Sequence, residues 1–244
     1  MLLSLLLSGN LKDSIAILLL ALPVILIALV CHEVAHGYVA WKCGDSTAYN
    51  LGRLTLNPKN HLDPLGFLCM LLFGFGWAKP VPINTRNFRN PKRGMALSAL
   101  AGPVANLILG VFSALLCGFF WALGNYLLNT VGPNDFWFKL VDWTILLFSL
   151  GAYYNFLFMV FNLIPVPPFD GSRIALIFLP TNTYFRIMRY ERQIMFGILL
   201  ALLLLSRFGF SPFDFVANAL TDLIALPIRD LFWEDVFIPA LLKH

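Results

Sequence analysis

Long uncharged apolar runs, not an alternation of apolar and polar positions, dominate this chain. Ser14–Cys31 carries no charge, and the apolar pattern continues to Trp41 around a single Glu. Gly94–Asn134 and Trp143–Phe169 are uncharged over 41 and 27 residues. A membrane span needs about 20 mostly apolar residues. The runs therefore predict membrane helices over about 14–41, 94–128 and 143–165, with a kink at Pro23 in the first. Gln193–Ser206 is shorter, but Tyr184–Arg192 can extend it with charged tips reaching the interface, predicting a fourth span over about 186–206. Met1–Leu11 is too short to span. Leu65–Ala78, rich in Gly and aromatics, has the length of a re-entrant or interfacial segment. Ser211–Leu242 is amphipathic and studded with Asp and Pro, which predicts an interfacial segment over about 211–242. No repeat of fixed period interrupts this order. The expected fold is an all-α membrane protein, a polytopic helical bundle forming one domain over 1–244.

Composition sharpens the class. The chain is 59% hydrophobic and 12% charged, with a mean hydropathy of +0.78. Soluble chains average about 45–50% apolar and about 25% charged residues. That balance excludes most soluble folds, and it excludes disorder, which needs the opposite one. The net charge of +4 is too mild and too dispersed to suggest a nucleic-acid partner. Where the positives lie matters more: twelve of the 17 fall in Lys42–Arg93 and Arg173–Arg192. Four alternating spans place those two loops on one side, and the positive-inside bias makes that side cytoplasmic. The four cysteines form no C-x-x-C pair and read as small buried apolar residues. The first ten residues lack a basic start and a cleavage site, so no removable signal peptide is expected.

The polar residues inside this apolar frame carry the chemistry. The first run ends in Cys31-His32-Glu33-Val34-Ala35-His36. At about 100° per residue, His32 and His36 share one helix face, a turn apart, where two imidazoles can chelate one metal. Glu33 falls in a neighbouring sector, close enough to take a proton without ligating. The bland alternative is a helix end whose polar residues snorkel to the interface, but packing does not require the desolvation it would cost. A catalytic zinc needs a third protein ligand and an open position. Asp170, in Asn162-Leu163-Ile164-Pro165-Val166-Pro167-Pro168-Phe169-Asp170-Gly171, is the candidate. The prolines keep the chain extended, and Gly171 permits a tight turn that presents the carboxylate. A plain Pro-rich loop closed by an Asp-Gly turn is the alternative. Asn106 and Asn162 are amides in or at the mouth of the apolar core. They could donate to an oxyanion or a substrate backbone, or they could bond neighbouring helices. His61 could act behind the metal ligands or order its loop.

These residues resemble the site-2 protease family of intramembrane zinc metalloproteases. The likeness rests on HEVAH at the end of one span and NLIPVPPFDG at the end of a later one, and covers about Ile15–Arg173. Ala101–Asn106 is similar to the family's middle core helix, and Gly76–Ile83 to its membrane-embedded β-hairpin. Phe169 stands where the family commonly has Leu, an apolar exchange. Nothing resembles a PDZ insertion, which points to the compact branch. The resemblance implies a three-helix catalytic core with a small membrane-associated β-hairpin or re-entrant region over about 65–90. It implies His32, His36 and Asp170 as ligands of one zinc ion, Glu33 as catalytic base, and Asn162 as the family's Asn. The expected activity is hydrolysis of peptide bonds in or near transmembrane segments of a membrane-protein substrate. It would take place within the lipid bilayer of a bacterial or archaeal cell membrane, with the site toward the cytoplasm. Trp77–Ile83 is the candidate edge strand for an unwound substrate. The competing expectation is a non-proteolytic metal-binding membrane protein, a transporter or an inactive regulator. A transporter usually shows internal repeats, and an inactive relative would lack the Glu.

Overall fold

The computed structural model describes residues 11–73, 78–175, 178–180, 183, 186–187, 189–207 and 219. In chain order the helices are α1 (Leu11–Lys42), α2 (Thr47–Asn50), α3 (Pro64–Phe73), α4 (Pro91–Thr130), α5 (Phe136–Leu163), α6 (Gly171–Ile174) and α7 (Glu191–Arg207). Single 3-10 turns at Pro58–Asn60 and Thr85–Asn87 start with Asn57 and Asn84, whose side chains accept backbone N–H groups.

Three of these helices are long and apolar enough to cross a membrane: Ile15–Lys42, Pro91–Thr130 and Phe136–Leu163. Their surfaces leave Leu19, Ile27, Ile108 and Phe112 exposed, a pattern that hydrocarbon favours and water penalises. The chain is an integral membrane protein. α1 and α4 continue through Pro23 and Pro103. In hydrocarbon no water stands ready for freed backbone groups, so the helix is kept wherever it can be. Within the predicted fourth span lies α7, whose 17 residues rise about 26 Å, short of a hydrocarbon core of about 30 Å.

The expected β-hairpin is not supported among the described residues. Among the described residues there is no strand, and Leu62 and Ala78 make one isolated antiparallel bridge. The Lys79 N–H gives that bridge its bond to the His61 carbonyl, but Pro80 and Pro82 have no N–H to extend a ladder, and the Val81 and Asn84 N–H groups go to the Glu33 and Asp45 carboxylates. The stretch expected to be re-entrant or interfacial begins as α3, ten residues rising about 15 Å. Residues 74–77, the N-terminal ten and, apart from 219, the interfacial segment 211–242 lie outside the described residues.

The chain divides into two compact units, Met1–Asn106 with Phe158–Pro212, and Leu107–Leu157 with Phe213–His244. In the second, Phe156 fills the space over Gly110 and packs with Ala114 and Ala152, and Phe120 stacks on Phe148 at 5.7 Å. In the first, the loop between α1 and α4 folds around Asp45, which is fully buried. Its carboxylate accepts from the Thr47 N–H and hydroxyl, from the Asn84 N–H at 2.6 Å and from the Asn87 amide at 2.8 Å. Burial raises the pKa of this carboxyl, but the four hydrogen bonds outweigh burial and hold it below the usual carboxylate range. Beside this hub Phe88, Met95 and Ala40 form a small core. At the end of α1, Trp41 stacks on Tyr49 at 5.1 Å, and the Lys42 ammonium lies 4.8 Å over the Trp41 ring. Exposed aromatic rings capped by a cation are typical of the membrane–water boundary.

Candidate metal centre

Three ligand-type side chains of the first unit meet at one point. The i, i+4 spacing on α1 brings His32 and His36 onto one face, with Nε2 atoms 2.9 Å apart. Asp170, in the turn between α5 and α6, places Oδ2 3.1 Å from each Nε2. These three are the group among the described residues suited to holding a metal ion. Both histidines are buried and Asp170 is half-buried. Gly171 allows the turn through space: a Cβ there would collide with the carbonyl oxygens of Leu163 and Ile164. Burial raises the pKa of the Asp170 carboxyl, but when the His32 and His36 rings are protonated their hydrogen bonds and charge outweigh it. The group is held well below the usual carboxylate range, as an anion.

The other ring nitrogens decide whether this set fits a cation. His36 Nδ1 lies 2.7 Å from the Ser98 carbonyl oxygen, which can only accept, so that nitrogen carries the proton. The Asn106 amide nitrogen faces the Ala28 carbonyl at 3.5 Å, which turns Oδ1 toward His32 Nδ1. His32 Nδ1 is therefore also the donor. In neutral rings both Nε2 lone pairs then aim at each other and at a carboxylate oxygen, an arrangement a cation stabilises. Two imidazoles and one carboxylate match a catalytic zinc set with a fourth position left open. The chain's donors fit zinc.

α4 supplies the support. Ser98, Gly102 and Asn106 follow one another at intervals of four, so they line one stripe of the helix. Ser98 also donates its hydroxyl to the His36 carbonyl at 2.9 Å. A Cβ on Gly102 would lie 2.5 Å from both imidazoles. The S-x-x-x-G-x-x-x-N spacing signals this stripe; motif reading passes over Ser98, and it takes Gly102, within Ala101–Asn106, for close helix packing without chemistry.

The remaining expected site residues are placed differently. Glu33 is half-buried next to His32, outside the ligand group, and its Oε2 accepts the Val81 N–H at 2.8 Å. Asn106 stands behind His32 as the acceptor just described. Asn162 donates to the Phe158 carbonyl at 3.0 Å, one turn back on its own helix. His61 is buried and hydrogen-bonds the Thr55 carbonyl through Nε2 at 2.8 Å.

Comparison with known proteins follows the same lines. The model of peptidase family M50 matches residues 20–206. The chain belongs to peptidase family M50, the site-2 protease family its two motifs resemble. It is 42% identical over 152 residues to "Putative zinc metalloprotease YwhC" of Bacillus subtilis, covering 62% of this chain and 64% of that one. It is 29% identical over 151 residues to "Putative zinc metalloprotease Rip2" of Mycolicibacterium smegmatis, covering 60% of this chain and 52% of that one. A third relative, "Putative zinc metalloprotease MJ0611" of Methanocaldococcus jannaschii, is 27% identical over 163 residues, 66% of this chain and 71% of its own. The matched stretch thus spans less than two thirds of the first two relatives. No solved structure matches the chain.

Proposed function

We propose that this chain is an intramembrane zinc endopeptidase that hydrolyses peptide bonds in or near transmembrane segments of other membrane proteins. The observation that supports it is the convergence of His32, His36 and Asp170 at the end of an apolar membrane helix, with Glu33 beside them. His32 Nε2, His36 Nε2 and Asp170 Oδ2 are the atoms that would hold the ion. Zinc bound there would lower the pKa of a water to about 7 and polarise the scissile carbonyl. Glu33 takes the proton of the attacking water on its carboxylate and returns it to the leaving nitrogen. A transmembrane helix hides its carbonyls in its own hydrogen bonds, so the substrate must unwind locally before Glu33 can act.

The test is metal analysis paired with cleavage of a transmembrane peptide by the purified protein. One zinc per chain is expected, and Asp170→Ala should lose both metal and cleavage. An Asp170→Ala protein with full zinc and full activity removes Asp170 from the ligand set.

The proposal places the site on the cytoplasmic side of a bacterial or archaeal membrane, from the twelve positives in Lys42–Arg93 and Arg173–Arg192. Single cysteines at positions 86 and 189 of a cysteine-free variant should both react with an impermeant thiol reagent from the cytoplasmic face. Reaction from opposite faces would break the four-span topology.

A further inference from the structure

One stretch of chain is pinned directly over Glu33. Residues 79–81 form a strap held at three places. The Lys79 N–H donates to the His61 carbonyl at 2.8 Å. The Arg53 guanidinium donates to the Lys79 and Pro80 carbonyls at 2.9 and 3.3 Å. The Val81 N–H donates to Glu33 Oε2 at 2.8 Å. Val81 stands between Pro80 and Pro82, so its N–H is the one peptide donor of that tripeptide. The strap lies against α1 on the stripe of Glu33 and Gly37: a Cβ on Gly37 would come within 2.9 Å of Val81 Cγ1. Val81 itself is buried.

We infer that the Val81 peptide N–H is a positioning element for the Glu33 carboxylate, and that Arg53 holds the strap that carries it. This rests on the reading of Glu33 as the base. A carboxylate on a three-carbon side chain samples several rotamers, and each wrong one costs turnover. A hydrogen bond to an ionised group is among the stronger ones available to a protein. With Oε2 committed to Val81, Oε1 is the oxygen left to meet the attacking water. The two prolines serve the same end, because they leave Pro80–Pro82 no second N–H that could compete for Glu33 and they stiffen the backbone there. His61 enters through its carbonyl, as an anchor of the strap.

The experiment replaces Val81 by α-hydroxyisovaleric acid through nonsense suppression, which turns the Pro80–Val81 amide into an ester, puts an oxygen in place of the N–H and weakens the Pro80 carbonyl as an acceptor for Arg53. The same exchange at Lys79 with the matching hydroxy acid is the control, since it deletes a bond of equal length from the same strap without touching Glu33. With a transmembrane peptide that the unmodified protein cleaves, the Val81 ester should lower kcat about tenfold or more, the scale of one charge-assisted bond. KM and zinc content should stay unchanged, and the Lys79 ester, which loosens one anchor but leaves the Val81 N–H on Glu33, should cost clearly less kcat than the Val81 ester. Arg53→Ala should lower kcat in the same way, with partial recovery in Arg53→Lys. In a Glu33→Gln background the Val81 ester should have no further effect. Unchanged kcat in the Val81 ester, or equal losses from both esters, overturns the inference. Should Glu33→Gln itself cleave normally, the reading of Glu33 as base fails instead, so the two failures are distinguishable.

Discussion

Glu33→Gln is expected to keep one zinc per chain while cleavage falls by at least about 10²–10⁴-fold, the range for loss of a general base. The exchange preserves shape and can still accept the Val81 N–H through the amide oxygen, so the strap stays in place. What it removes is the basic carboxylate. Glu33 lies outside the group of three that converges at the metal position, which is why the metal should stay. The variant should also still capture a transmembrane substrate. A transporter or scaffold predicts little functional change from so small a substitution, so this variant separates the enzyme from its alternative. Near-normal cleavage, or zinc lost from a folded protein, would refute the assigned role.

Gly102→Ala is expected to cut zinc affinity by about 10–100-fold or more, the range for disturbing a ligand's supporting shell. Alanine stabilises a helix interior by up to about 1 kcal/mol over glycine, so α4 itself gains. The damage comes from space. A methyl at 2.5 Å from His32 Cε1, His36 Cε1 and His36 Nε2 forces at least one imidazole away from its acceptor on α4. Gly197→Ala meets nothing within 4 Å and serves as the matched control. Zinc content measured after dialysis against a graded chelator series reads the effect. A Gly102→Ala protein that holds zinc as tightly as the parent would show that the imidazoles have room to yield.

How far the sequence carried the site depends on what kind of group did the work. His32 and His36 were legible because the helical period alone puts i and i+4 on one face. Asp170 was legible only in company: by itself its Pro-rich segment reads as an ordinary loop. Three helices announced themselves through length and hydropathy. The partners that orient the site were harder to see, because two of them are backbone groups. The Ser98 carbonyl on His36 and the Val81 N–H on Glu33 leave no trace in residue identity. The hairpin expectation failed for a related reason. The prolines that suit a sheet edge also left few N–H groups to pair, and Glu33 and Asp45 accept the N–H groups of Val81 and Asn84.

The Trp41–Tyr49 stack doubles as a depth gauge. If its rings mark the headgroup level, His36 lies five residues below Trp41 along α1 and His32 nine, roughly 8 and 14 Å at 1.5 Å per residue. A hydrocarbon core of about 30 Å puts that entire interval within the nearer leaflet. On that scale Glu33 lies about two helical turns below the level of the stack, with the strap of residues 79–81 above it. On the proposed function, a substrate helix would need to fray only from its nearer end and would keep the turns beyond the bilayer centre intact.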